Sequence, residues 1–319
     1  VVYLDSDALV YISSVCEEGG ASVINISFGV DNNGLYDALS EFLDSVAYEH
    51  PRCSITVSCG NSGSSRRCGS PATAKNVDSV GASLSRPEAY PMWPDASTRP
   101  EYYSRDIVAG FSSSGPLRDG RRAPHFYSPG VNVIVPMSKR YNIMNHAFYF
   151  SASGTSFSAP HISGIKAEIQ RRYKREYGGE LPSSALVTAI LSTWSIPMKK
   201  VVSIGSNGVT PLSVYPVDTF GFPLVPREGL GGIPIDASLS GTDHGKGYCI
   251  RLDEGNTSQE EVFYVGLAWR DHPVVSYIPG ISPLVNDLNV IMLYNNKMYR
   301  YTDSVNPHER IQTSMRSGE

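Results

Sequence analysis

Apolar and polar positions along the first part of the chain change periodicity repeatedly, which predicts alternating strands and helices. Residues 7–18 and 35–49 carry apolar side chains at helical spacing. Residues 22–30, 54–61 and 78–83 are short, almost uncharged runs typical of buried strands. The predicted buried face of the second helix consists of Leu35, Ala38, Leu39, Phe42 and Val46.

This alternation of strand and helix favours an α/β fold with a parallel sheet, because right-handed crossovers join parallel strands through helices. Ligands of such sheets bind at the carboxyl ends of the strands. Phe28-Gly29 and Gly60-Asn61-Ser62 fall at two of these ends. We therefore expect a binding cleft between them.

Further along, residues 130–137 and 146–153 predict two more strands, and residues 156–177 and 183–194 predict two helices. The first of these helices carries many charged side chains, which predict a solvated outer face. They are Lys166, Glu168, Arg171, Arg172, Lys174 and Arg175.

The pattern changes after about residue 220, where a glycine-rich stretch precedes segments of period two. These segments are YCIRLDE, EEVFYVGLAWRD and LNVIMLYNNKMYRYTD, with Asn295-Asn296 at a predicted hairpin turn. They predict an all-β module, most simply a sandwich. We divide the chain into an α/β domain at 1–222 and a β-sandwich module at 223–319, which we expect to be incomplete at its C-terminus.

Composition excludes some classes of function. The chain has 319 residues, 41% of them hydrophobic, and a net charge of −4, so it has no electrostatic footprint for nucleic acid. No apolar run approaches the length of a membrane span, which is about 20 residues. A disulfide such as Cys53–Cys68 and free buried thiols both remain open for the five cysteines, which are Cys16, Cys53, Cys59, Cys68 and Cys249.

The stretch GTSFSAP at 154–160 is the strongest candidate for chemistry, because it places Ser156 between a strand and the start of a helix. A helix N-terminus offers free N–H groups and a positive dipole end, which stabilise an anion beside a serine nucleophile. Taken alone, the stretch is better explained as an ordinary N-cap. The segments CGNSG (59–63), SPATAKNVDSVGAS (70–83), GFSSSGPLRDGR (110–121) and SPGVNVIVP (128–136) precede it, and their order favours the nucleophile.

Together these blocks resemble the subtilisin-like serine proteases, or subtilases, over about residues 8–200. GTSFSAP matches the family's serine motif in full, CGNSG resembles its oxyanion-hole segment, and SVINISFG resembles its substrate-binding strand. The sedolisins share a similar serine motif but lack the Asn of CGNSG, so they fit less well. The resemblance implies a three-layer, doubly wound parallel sheet that is incomplete at its N-terminus.

The resemblance implies a role for each matching residue. Ser156 would be the nucleophile, and Asn61 with the Ser156 backbone N–H would form the oxyanion hole. The residues implied in substrate binding are Ser27, Phe28, Gly29, Gly60, Gly69, Gly154 and Thr155. Gly69 would form the floor of a roomy pocket, with a preference for a large apolar side chain before the scissile bond.

Two members of the family's catalytic triad have no match, and we expect the Asp and His upstream of Val1 or on a second chain. His161 follows the serine on the same helix and is interpreted as a packing residue, and His125 as a structural one. Without a base the serine hydroxyl is a weak nucleophile, so this chain alone should be nearly inactive and poorly stable.

The module after residue 222 resembles the jelly-roll sandwich of many subtilases, on VGLAWRDHP (265–273) and SPLVNDLNVIM (282–292). We expect that the chemistry needs no cofactor. Structural calcium is common in the family, but the sequence does not show where it would bind. Asp271, Asn286, Asp287 and Asn289 have suitable oxygens, although turn and strand-end roles fit them better. Asn256 begins a glycosylation motif, and the resemblance favours a secreted or lumenal protein.

The sequence thus predicts a serine endopeptidase acting on polypeptides, with neither nucleic acid nor a membrane span involved. The rival hypothesis is a non-catalytic pseudoprotease or binding module that retains the substrate cleft. A third is a two-chain enzyme whose other chain supplies the Asp and His.

Overall fold

The structure, a computed structural model, describes most of the chain. The described residues are 6–17, 20–63, 65–84, 105–137, 148–201, 214–216, 218–239, 246–248, 260–274, 278, 281–294 and 297–316. The glycosylation motif at Asn256, the turn residues Asn295-Asn296 and Cys249 lie outside them.

A four-stranded parallel sheet forms the centre of the α/β part. Its strands are β1 (Val23–Ile26), β2 (Ser54–Ser58), β3 (Asp78–Ser83) and β4 (Phe126–Pro129), adjacent in that order. All three pairings are parallel. The first three strands were predicted, and β1 and β2 are shorter than expected; β4 was not predicted, because its four residues carry no periodic signal.

Within the described residues, four helices accompany the sheet: α1 (Ser6–Glu17), α2 (Ala38–Glu49), α3 (Thr155–Tyr177) and α4 (Ser184–Thr193). All four agree with the sequence prediction within a few residues. Among the described helices, none has the length and apolar character needed to cross a bilayer.

The sheet separates two hydrophobic cores. Ile55 and Val57 of β2 pack with α2, whereas Val80 of β3 packs with α3 and α4. Val80 lies beside Ser58 in the sheet register, and Ser58 points to the opposite face from Val57 because side chains alternate along a strand. The α/β part therefore has three layers, as predicted.

The predicted buried face of α2 is partly wrong. Val46 is buried as expected, but Ala38 is exposed. The buried residues of this helix are Ser40, Leu43, Asp44, Val46 and Ala47. Asp44 is buried because distant groups bond its carboxylate: the Tyr36 hydroxyl and the Asn76 backbone N–H both donate to it, each at 2.7 Å. A local pattern cannot reveal such partners.

The solvated charged face predicted for α3 is also wrong at two positions. Lys166 is completely buried, and its Nζ lies 2.7 Å from Asp78 Oδ2 and 3.0 Å from the Ile55 carbonyl. Arg172 is buried as well, and its Nη1 donates to the carbonyls of Pro226 and Gly229. Arg172 Nε also lies 2.8 Å from Glu168 Oε1, so both charges are paired, which is the condition for burying them.

The remaining strands form antiparallel pairs. In the α/β part, β5 (Val133–Pro136) pairs with β6 (Tyr149–Ala152), β7 (Ser195–Ile196) with β10 (Phe222–Pro223), and β8 (Lys199–Val201) with β9 (Val214–Pro216). Near the C-terminus, β11 (Glu260–Ala268) pairs with β14 (His308–Arg316), and β12 (Val290–Tyr294) with β13 (Lys297–Tyr301). β11, β12 and β13 confirm two of the period-two segments, whereas β14 lies in none of them. All but the first residue of the segment YCIRLDE lies outside the described residues, and the jelly-roll sandwich stays a prediction.

A buried polar contact ties the segment after β11 to the α/β part. Lys75 Nζ lies 2.5 Å from Asp271 Oδ2, and both side chains are fully buried. The Asn76 side chain donates to the Asp271 carbonyl at 2.7 Å and accepts from its backbone N–H at 2.8 Å. Because these groups have no water around them, the contact holds only while both parts are folded together.

Four of the five cysteines are paired. Cys16 is bonded to Cys53, and Cys59 to Cys68. The pairing of Cys53 with Cys68, left open by the sequence, is therefore not the one formed.

Candidate active site

Ser156 is the second residue of α3, and its environment excludes the N-cap interpretation. The N-cap is Gly154, whose φ of 151° suits only glycine and which offers no side-chain cap. The Ser156 hydroxyl donates instead to the Ser27 carbonyl at 3.0 Å. Its backbone N–H has no partner within the helix, as for every first-turn residue, so this end of α3 can stabilise an anion.

Ser27 and Ser156 bond each other reciprocally, because Ser27 Oγ also donates to the Ser156 carbonyl at 3.0 Å. In a regular helix that carbonyl would accept from the residue four positions later, which here is Pro160 and lacks an N–H. Pro160 lies inside the helix, in its second turn. It therefore leaves the Ser156 carbonyl free to hold Ser27 at the end of β1.

The orientation of the Asn61 amide is fixed by Thr155. Asn61 Oδ1 accepts from the Thr155 backbone N–H at 2.8 Å and from its hydroxyl at 3.0 Å. Because a backbone N–H can only donate, the oxygen must face Thr155 and the Nδ2 group must face away. The Thr155 hydroxyl also accepts from the Gly60 N–H at 3.2 Å, which ties the end of β2 to the start of α3.

A cleft of about 300 Å³ lies beside Ser156, at the carboxyl ends of β1 and β2. Its position agrees with the expectation for a parallel sheet. The residues that line it are Ser27, Phe28, Gly29, Val30, Asp31, Ser58, Cys59, Gly60, Asn61, Ser62, Arg67, Gly69, Ser70, Ser113, Thr155 and Ser156. All the site residues predicted from the sequence are among them except Gly154, the N-cap of α3.

Two glycines allow the walls of the cleft to approach each other. A Cβ at Gly69 would lie 2.2 Å from the Val30 carbonyl oxygen, and one at Gly29 would lie 2.5 Å from that of Ser70. Neither space admits a side chain. Between them, the Val30 N–H donates to the Ser70 carbonyl at 2.8 Å.

Sequence reasoning missed several polar residues of this cleft, and three of them are Asp31, Arg67 and Ser113. Arg67 and Asp31 bring opposite charges to its lining, and Ser113 accepts a hydrogen bond from the Ser62 N–H at 3.2 Å. Arg67 and Asp31 lie outside the matching motifs, and Ser113 lies within GFSSSGPLRDGR (110–121), to which no site role was assigned. The lining is therefore more polar than a preference for a large apolar side chain suggests.

Within the described residues, no imidazole is hydrogen-bonded to Ser156. His161 is exposed and its Nδ1 lies 2.8 Å from the Phe157 carbonyl, so the interpretation of His161 as a packing residue is wrong. His125 is buried beside Asp78, with 3.8 Å between Nδ1 and Oδ1. Burial lowers the pKa of His125 to about 3, and the Asp78 carboxylate offsets only part of that effect.

In the part of the chain that the structure describes, no three His, Cys, Asp or Glu side chains are grouped so that they could hold a metal ion. The Asp271 carboxylate already accepts hydrogen bonds from Lys75 Nζ, the Val285 N–H, and the backbone and side chain of Asn286. Asp287 and Asn289 are exposed. Asp271 therefore organises the chain around it, as a turn residue does.

Comparison with known proteins places these features in a family. A model described as the subtilase family matches residues 3–210. Among curated proteins, "Serine protease AprX" of Bacillus subtilis is 34% identical over 123 residues, which cover 36% of this chain and 25% of that protein. "Subtilisin-like protease PopC" of Myxococcus xanthus is 48% identical over 61 residues, covering 19% of this chain and 12% of that protein.

Among solved structures, "Prenylagaramide maturation protease PagA" is 21% identical, with a TM-score of 0.42, and the match covers 62% of this chain and 60% of that one. The chain spans a quarter or less of the length of the two curated relatives.

Proposed function

The chain belongs to the subtilase family, and from that premise we propose that it is part of a serine endopeptidase in which Ser156 is the nucleophile. The observation that carries the proposal is the position of Ser156 at the N-terminus of α3, in a cleft that also contains Asn61. The reaction is hydrolysis of a peptide bond through an acyl-enzyme.

In the first step Ser156 Oγ attacks the carbonyl carbon of the scissile peptide bond, and its proton passes to a general base. The carbonyl oxygen becomes an oxyanion, which accepts hydrogen bonds from Asn61 Nδ2 and from the Ser156 backbone N–H. Collapse of this intermediate expels the leaving amine and leaves an acyl group on Ser156. Water then attacks the acyl carbon and regenerates the hydroxyl.

The base and its orienting acid are a His and an Asp that lie outside the described residues, either elsewhere on the same polypeptide or on a second chain. The Ser156 hydroxyl donates its single proton to the Ser27 carbonyl. To transfer that proton to an imidazole at hydrogen-bonding distance, the hydroxyl would rotate about its Cβ–Oγ bond away from Ser27. The reciprocal bond from Ser27 keeps the serine backbone in place meanwhile.

Polypeptide substrates would extend the sheet at the cleft, pairing with the backbone of Ser27, Phe28 and Gly29 beyond the end of β1. The side chain before the scissile bond would enter the space above Gly69. Gly60, Gly154 and Thr155 support the oxyanion side of the cleft through their contacts with Asn61 and with one another. We place the protein in a secreted or lumenal compartment, which its two disulfides support.

A binding protein with a subtilase shape is the second candidate. It is favoured by the Ser156 hydroxyl, which is engaged with a carbonyl rather than with an imidazole among the described residues. Such a protein would hold an extended peptide in the cleft and leave it uncut.

Hydrolysis of a peptide library by the full-length protein that carries this chain separates the two candidates. We expect cleavage by the wild type and none by Ser156→Ala, with peptide binding retained in the variant. Binding without cleavage in both proteins would contradict the endopeptidase and leave the binding protein.

A further inference from the structure

The two walls of the cleft next to Gly69 are bridged by one carboxylate. Val30 and Asp31 form one wall, and Gly69 and Ser70 form the other. A single backbone hydrogen bond, from the Val30 N–H to the Ser70 carbonyl, joins them directly. The spacing of the walls decides which substrate side chain fits between them, so whatever holds both walls sets that spacing.

Asp37 contacts both walls. Its Oδ1 accepts from the Ser70 hydroxyl at 2.6 Å, and its Oδ2 accepts from the Asn32 side-chain amide at 3.0 Å. Ser70 is completely buried, so its hydroxyl has no water to replace this bond. Asn32 is the residue after Asp31 in the opposite wall, and its amide also donates to the Leu35 carbonyl at 2.8 Å.

We propose that Asp37 is a positioning residue that fixes the distance between the two cleft walls and thereby the size of substrate side chain that the cleft accepts. This inference rests on the proposed function. Asp37 lies in none of the motifs that carry the family resemblance. It touches neither the substrate nor the reacting atoms.

Capping of α2 does not by itself account for this carboxylate. Asp37 is the N-cap, and its Oδ1 accepts from the Ser40 N–H at 3.1 Å. Serine caps a helix as well as aspartate does, using a single oxygen. Ser70 and Asn32 bond different oxygens of the Asp37 carboxylate, so the single hydroxyl oxygen of serine cannot cap the helix and hold both of them. The bridge between the walls is therefore separable from the cap by substitution.

The conformation of Asp37 suits its bridging role. Its backbone is extended, with φ −141° and ψ −179°, at the point where the chain leaves the cleft wall and enters α2. The Ser40 hydroxyl, which also donates to Oδ1, lies 2.6 Å from Thr73 Oγ1 in the segment after Ser70. The carboxylate thus belongs to a buried chain of hydrogen bonds that continues away from the cleft and resists movement of either wall.

The first test compares Asp37→Ser, which keeps the cap, with Asp37→Ala, which removes it, and with Ser70→Ala, which frees one wall only. The full-length proteins would be assayed on peptides that differ only in the residue before the scissile bond, set to Ala, Leu or Phe. We expect Asp37→Ser and Ser70→Ala to change the ratio of kcat/KM between the smallest and largest of these residues about tenfold. Equal ratios in wild type and Asp37→Ser would overturn the proposal.

The second test does not require activity. In a Ser156→Ala background, hydrogen exchange of the Val30 amide reports directly on the bond between the walls. We expect about tenfold faster exchange in Asp37→Ser than in the parent, with unchanged exchange in β2. Unchanged exchange at Val30 would overturn the positioning role, whereas faster exchange in a protein that cleaves nothing would sustain it and contradict only the proposed protease activity.

Discussion

The amide of Asn61 is oriented by its neighbour before any substrate arrives. Thr155 occupies the Asn61 oxygen with two donors, so the amide nitrogen is the group left for an oxyanion. Such preorganised donors contribute most when they need no rearrangement during the reaction.

The Asn61→Asp variant tests the side-chain donor of this residue, because it removes the amide N–H groups and keeps an acceptor oxygen. The aspartate would keep an oxygen for Thr155 but would lose the donor and add a negative charge beside the oxyanion. We expect kcat to fall by about 10²–10³ or more, with a small change in KM. The matched variant Asn289→Asp, at an exposed position outside the cleft lining, should retain the wild-type kcat. Equal activity in Asn61→Asp and wild type would remove Asn61 from the oxyanion hole.

His125 makes a residue-scale prediction about pH. Its imidazole faces Asp78, His308 and the guanidinium groups of Arg122, Arg121 and Arg270. Burial lowers the pKa of His125 from an ordinary value of 6.5 to about 3. Between these two pH values, the imidazole therefore binds a proton in the unfolded chain but not in the folded chain. As far as His125 determines it, the free energy of unfolding is highest above pH 6.5 and falls as the pH drops from 6.5 towards 3.

The check is urea unfolding of the wild type and of His125→Asn between pH 4.5 and 7. Asparagine keeps an acceptor for the Ser79 N–H, which His125 Nδ1 now bonds at 3.3 Å, but does not titrate. We expect the slope of unfolding free energy against pH to be steeper in the wild type by up to about 1.4 kcal/mol per pH unit. Identical slopes would show that His125 is not the group that refuses the proton.

At the scale of elements, the strands and helices were predictable where the pattern is local. β1, β2, β3 and all four helices were predicted because each has a clear period or a buried, uncharged run. What failed depends on partners far away in sequence. Lys166 looks like a surface lysine in the helical pattern, and only its bond to Asp78 in another element explains its burial.

The residues of the candidate site also divide into those that local motifs predict and those that depend on distant contacts. Motifs gave Ser156, Asn61 and the neighbouring glycines, because these lie in short continuous stretches. Asp37 was missed because a capping aspartate is common, and its bond to Ser70 spans a loop that no pattern reveals. Arg67 was missed because nothing local separates a cleft arginine from a surface one.

The missing N–H of Pro160 in helix α3 leads to a further prediction about catalysis. Pro160→Ala would restore an N–H that competes with Ser27 Oγ for the Ser156 carbonyl. We expect kcat to fall about tenfold, the value of one hydrogen bond, while the helix itself becomes no less stable. Ser27→Ala should cause a similar fall, and the double variant should be no worse than either single one, because both remove the same bond. Multiplicative losses in the double variant would contradict this account.

On the scale of the whole molecule, the segment after β11 contributes to the core of the α/β part. Arg270 donates to the Ser184 hydroxyl and carbonyl and to Thr188, while Asp271 neutralises Lys75. The buried charges of one part therefore have their partners in the other. The family match ends at residue 210, so this dependence could not be read from the motifs.

Asp271→Asn tests that dependence. It would remove the carboxylate that contacts the buried Lys75 ammonium and leave only Asp44 as a nearby counter-charge, and we expect a loss of roughly 3 kcal/mol in unfolding free energy. Asp287→Asn, an exposed position in the same segment, should stay within about 0.5 kcal/mol of the wild type. Circular dichroism during urea unfolding is the measurement, and an Asp271→Asn protein as stable as the wild type would mean that the two parts fold independently.

The central claim is that Ser156 is an activated nucleophile, and covalent labelling tests it most directly. The full-length protein would be treated with a fluorophosphonate probe, and the modified residue would be identified by mass spectrometry. We predict a single adduct on Ser156 that disappears in Ser156→Ala and after unfolding. A folded protein with no adduct, or with one on another serine, would contradict the claim.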